Sequence, residues 1–70
     1  MREKLERLIE EMVSKGIRYS EAQREFERRF IVQVLARTDF NLRRAAQELG
    51  MHRNTLSRKI AAHRLKRSTT

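Results

Sequence analysis

Residues 45–60 read AAQELGMHRNTLSRKI, and the order of small, apolar and basic residues in this stretch decides the fold. Ala46 is small enough to let two helices cross closely, and Gly50 can take the positive φ that a sharp turn between helices needs. Met51 fills the corner. Leu56 and Ile60, one turn apart, face inward from the second segment, so Arg53, Asn54, Ser57 and Arg58 emerge on its outer side with Thr55 and Lys59 flanking. Two short amphipathic helices joined at a glycine have the layout of a helix-turn-helix, here over residues 41–64.

Working outward, Asn41 is a good N-cap for a helix over residues 42–49, whose inner face carries Leu42, Ala45, Ala46 and Leu49. The last helix is predicted from Arg53 to Arg64, with residues 65–70 as a frayed tail. Toward the N-terminus, Leu5, Leu8, Ile9, Met12 and Val13 form one helical stripe over Arg2 to Ser14, which Gly16 ends, with Ile17 placed to fold back on it. Ser20 and Gln23 form a Ser-x-x-Gln capping box that opens a helix from Glu21 to about Arg37. After Phe26 that helix carries Phe30, Ile31, Val32, Val34, Leu35 and Ala36, more than one stripe can hold. It is expected to pack on the first helix along one face and on a partner chain along another, with Phe26, Phe30, Ile31 and Val34 at the interface between chains.

Seventy residues make one domain, and a chain this short hides only about 60% of its unfolded surface. Without cysteine for a disulfide or a Cys/His cluster for zinc, association of two chains is the remaining common source of stability. The whole chain therefore reads as a single all-α domain, residues 1–38 forming dimerisation helices and residues 41–64 the helix-turn-helix. Met1 opening directly on the first helix reads as the start of a complete short protein. The lack of a long apolar run excludes a signal peptide or membrane span, which predicts a cytoplasmic protein.

Charge is divided unevenly. Residues 1–35 hold eight Lys/Arg against seven acids, whereas residues 36–70 hold nine against two, so nearly all of the net +8 lies in the second half. From Met51 to Thr70 there are six basic residues and no acid, where a merely solvated face normally mixes both signs. A polyanion is the partner such a half selects, and beside a helix-turn-helix that polyanion is double-stranded DNA. Arginine can grip guanine O6 and N7 as a fork, asparagine can pair with adenine, and Thr, Arg and Lys suit phosphate oxygens. An RNA-binding surface would call for aromatic platforms, and residues 41–70 contain none apart from the histidines. His52 and His63 stand eleven apart without cysteine, which excludes a metal site. With no nucleophile, base and orienting group together and no phosphate-holding glycine loop, the chain does not read as an enzyme, and no cofactor or small-molecule ligand is implied.

Residues 26–64 also resemble the Fis-type helix-turn-helix family, which includes the C-terminal DNA-binding domains of NtrC-type activators. The resemblance runs through Phe26-Glu27, Ile31, Val34 and Leu35, then Asn41, Ala45-Ala46, Leu49-Gly50, Arg53-Asn54-Thr55-Leu56 and Arg58-Lys59. It implies four helices, two building an intertwined dimer and two forming the reading unit, in a bacterial transcription regulator of the nucleoid. It also carries base contacts onto Arg53, His52 and Asn54, with Ser57 on the same face, and phosphate contacts onto Asn41, Arg43, Thr55, Arg58 and Lys59. The sequence departs from the family at Ser57, where Fis has a basic residue, and at Phe40, where the family usually has glycine. Phe40 predicts a left-handed residue at Asp39 or Asn41 instead, with its own ring packed against the dimer core. A sequence-tolerant DNA-bending factor is the alternative within DNA binding, and a dimeric protein-interaction adaptor is the alternative outside it.

Overall fold

The computed structural model describes residues 2–66, all of whose regular structure is helical: α1 (Arg2–Ser14), α2 (Tyr19–Arg37), α3 (Leu42–Leu49) and α4 (Arg53–Ala62). The predicted frayed tail falls mostly outside the described residues, but Leu65, assigned to it, packs against the core.

All four helices stop in the same way, and this accounts for several residues that look out of place. In each case the helix is followed by a left-handed residue, Gly16 (φ 74), Asp39 (φ 57), Gly50 (φ 70) or Arg64 (φ 54), with a second, Phe40, after α2. The next N–H then reaches back to the carbonyl five positions earlier: Ile17 to Met12 at 3.1 Å, Phe40 to Leu35 at 2.7 Å, Met51 to Ala46 and Leu65 to Ile60 at 3.0 Å. This is the Schellman closure, which satisfies carbonyls otherwise left open at a helix end and brings an apolar pair together across the turn. Phe40 is the apolar member of that pair at the end of α2. It is itself left-handed (φ 61), whereas Asn41 is extended (φ −81), so of the two residues expected to absorb the strain only Asp39 does, and Phe40 shares it. The Phe40 ring packs on its own chain's core. For the same reason α4 ends at Ala62, two residues short of the expected Arg64, because Arg64 has left the helical region.

Helix α2 begins earlier than its sequence signal suggests. Arg18 is the N-cap, and its N–H donates to a Glu21 carboxylate oxygen at 3.1 Å. Arginine has no acceptor with which to complete the reciprocal half of a capping box. A charged acceptor facing a helix N-terminus outweighs the neutral Ser20–Gln23 pair.

The core is small. Ile31 and Leu35 from α2, Ala45 and Ala46 from α3, and Leu56 from α4 are buried, and Val34, Leu42, Leu49, Met51 and Ile60 pack around them. The two alanines work as expected, since their missing bulk brings α3 against both neighbours. Ile31, predicted at the interface between chains, is 1% exposed inside its own chain and belongs to this core, with Val34 at its edge. Thr38, one further turn along that face, is also buried, and its hydroxyl is satisfied by donating to the Val34 carbonyl at 2.9 Å.

Helix α1 stands apart. It contributes no buried residue, and the principal packing is of α2 on α3 and of α3 on α4, so the expected packing of α2 on α1 forms no part of the buried core. The inner face of α2 is already taken by α3, which leaves Leu5, Leu8, Ile9 and Val13 exposed.

Candidate nucleic-acid interface

The helix-turn-helix is built by three local devices. The Asn41 side chain accepts from the Arg44 N–H at 3.2 Å and so opens α3, while Gly50 closes it. His52 then opens α4 as its N-cap, its ring Nδ1 accepting from the Asn54 N–H at 3.2 Å. His52, expected at the base edges, has a structural duty as well: with Nδ1 occupied, Nε2 is the only ring nitrogen left to face a ligand.

Buried Leu56 and partly buried Ile60 fix the rotation of α4. Arg53, Asn54, Ser57 and Arg58 are consequently all exposed, in a row along one side of the helix. Thr55 is half-buried between this row and the core. On α3 the exposed positions are Arg43, Arg44, Gln47 and Glu48, so Arg44 and Gln47 add outward donors beyond the expected Arg43. Arg44 and Gln47 could have been found from the sequence, because an inner face of Leu42, Ala45, Ala46 and Leu49 leaves them outside. The one acid of α3, Glu48, lies 3.9 Å from Arg37 of α2, and α4 contains no acid.

Lys59 does not join the row. It is half-buried, and its ammonium lies 2.7 Å from Glu27 Oε1 on α2, while the other oxygen of that carboxylate lies 2.7 Å from His63 Nε2. Position 59, expected to meet phosphate, is turned from the outer stripe toward α2, where its ammonium meets a carboxylate. Glu27 itself was missed as a functional residue. The only local trace of the cluster is that Lys59 and His63 are one turn apart on α4. Hydrogen bonds from Lys59 and then His63 hold the Glu27 carboxyl below the usual glutamate range, so it is ionised at neutral pH.

Residues 22–63, more than half of the chain, match the family described as bacterial regulatory protein, Fis family. The chain belongs to the Fis family. That is a family of helix-turn-helix DNA-binding regulators, and the matched residues contain the inner face of α2, all of α3 and all of α4. No curated protein and no solved structure matches the chain. Among the described residues no helix is long and apolar enough to cross a membrane.

Proposed function

We propose that this Fis-family protein is a transcription regulator that binds duplex DNA as a homodimer, with α4 of each subunit in a major groove. The observation that carries this reading is the acid-free row Arg53, Asn54, Ser57 and Arg58, exposed along a helix whose opposite side is pinned by buried Leu56. At the start of a recognition helix, Arg53 and Asn54 are the side chains placed to meet base edges, with Ser57 one turn on and the His52 Nε2 beside them. Asn41, Arg43, Thr55 and Arg58 hold the phosphates on either side. The site of action is the cytoplasm, at the nucleoid.

The homodimer is supported by what a single chain leaves uncovered. Phe26 and Phe30 pack ring against ring, centroids 5.5 Å apart, and yet remain 61% and 51% exposed. Together with Leu49 and Met51 they border a shallow groove beside the helix-turn-helix, and the α1 stripe adds further apolar surface. An exposed apolar surface of this kind on so small a domain marks an association face. A two-fold dimer covers it and presents two recognition helices to successive half-sites.

The test uses a site selected from random duplexes, measured beside a random duplex of equal length. Arg53→Ala is expected to cost about 1–3 kcal/mol on the selected site and to relax preference at one guanine of each half-site, with little change on random duplex. Equal losses on both would show a sequence-tolerant DNA-bending factor. With roughly six to ten phosphates engaged per dimer, affinity should fall by about 10³–10⁵ between 50 and 200 mM salt, whereas a flat profile would favour a protein-interaction adaptor.

A further inference from the structure

Glu27 reaches across the domain from α2, 32 and 36 positions before its two partners on α4. Its contacts differ in kind from the surface pair Glu25–Arg29, which links two turns of one helix and positions nothing beyond it. Each carboxylate oxygen takes one donor, so Glu27 grips α4 at two points a turn apart.

The His63 ring shows which way that bond runs. His63 is buried, and its Nδ1 has no hydrogen-bond partner among the described residues. An ionised carboxylate can only accept, so Nε2 carries a proton and donates to Glu27. His63 therefore anchors the carboxylate from Nε2, and the Lys59 ammonium lies against its other oxygen. The consequence falls on Lys59. It follows exposed Arg58 on a helix facing DNA, and its ammonium sits on a flexible four-carbon stem that could serve either a phosphate or Glu27.

We infer that Glu27 is a positioning residue for DNA recognition, which anchors α4 to α2 through His63 and holds the Lys59 ammonium away from the nucleic acid. The inference rests on the DNA-binding reading above. Phosphate contacts are blind to sequence, so withholding one from each subunit lowers binding to random duplex more than it lowers discrimination between sites. The acid on the dimerisation helix thus sharpens the specificity of the recognition helix.

The experiment measures binding of the full chain to a random duplex as a function of salt, since a purely structural role for Glu27 would change affinity without changing the slope. In Glu27→Gln the released Lys59 reaches phosphate, and the slope of log K against log salt steepens by up to about 0.9 per subunit. An unchanged or flatter slope in the folded variant overturns the inference. Lys59→Met, which leaves the Glu27–His63 contact in place, decides the matter if Glu27→Gln does not fold. Its slope should equal that of the parent chain, and a flattening of about 0.9 per subunit would put Lys59 on phosphate and refute the clamp. A parent chain with no salt-dependent duplex binding would instead refute the DNA-binding reading itself.

Discussion

Phe30 and Ile31 are neighbours in the sequence, and truncating each to alanine should break different things. Phe30 is 51% exposed in the single chain, and an aromatic side chain offers about 150–250 Å², so roughly 100 Å² of it remains for a partner to cover. At about 25 cal/mol per Å² this is worth roughly 2.5 kcal/mol for each subunit, and two-fold symmetry doubles it to about 5 kcal/mol for the dimer. Phe30→Ala should therefore weaken dimerisation by about three orders of magnitude or more, read by sedimentation over a range of concentrations. Ile31, 1% exposed, lies in the core between α2 and the helix-turn-helix. Its truncation should cost about 2–5 kcal/mol of unfolding free energy at every protein concentration, whereas the effect of Phe30→Ala on unfolding should be full at concentrations that saturate the dimer and fade on dilution to the monomer. An undiminished dimer in Phe30→Ala, or an Ile31→Ala whose loss depends on concentration as Phe30→Ala does, would refute this division of the helix faces.

Two further outcomes follow from the clamp and the helix ends. Because Lys59 and His63 lower the Glu27 pKa, the stability this group confers is complete above the ordinary glutamate value of about 4.3 and is lost as pH falls from there through the lower folded value. Denaturation curves across that acid window should show the loss in the parent chain and lack the Glu27 part of it in Glu27→Gln. At the end of α4, Arg64 holds a left-handed backbone (φ 54) that costs a residue with a Cβ about 1–2 kcal/mol, part of which glycine would give back through its freer unfolded chain. Arg64→Gly should thus raise stability by about 0.5–1 kcal/mol in thermal unfolding, and a loss instead would mean that the arginine side chain secures a contact worth more than the strain.

Much of this fold is legible in the sequence because its signals act within one or two turns of helix. The spacing of Leu42, Ala45, Ala46 and Leu49, the caps at Asn41 and Gly50, and the inward pair Leu56 and Ile60 place α3 and α4 without reference to any distant residue. The outer row on α4 follows from the same arithmetic, since the residues left over from an inner face must lie outside. Phe40 was a puzzle only while its turn was judged by a preference for glycine; the Leu35 carbonyl five residues earlier supplies its reason, and that pairing recurs at the other three helix ends.

What the tertiary structure alone decided is which faces meet. Periodicity groups Phe26, Phe30, Ile31 and Val34 as apolar residues of one helix, but it does not reveal that α3 docks over Ile31 and leaves Phe30 in the open. Nor does it bring Glu27 to Lys59 and His63. An apolar or charged side chain is indifferent to how far along the chain its partner lies, so these pairings are selected only when three helices close together on two small alanines and the burial of one face settles the rotation of all the others.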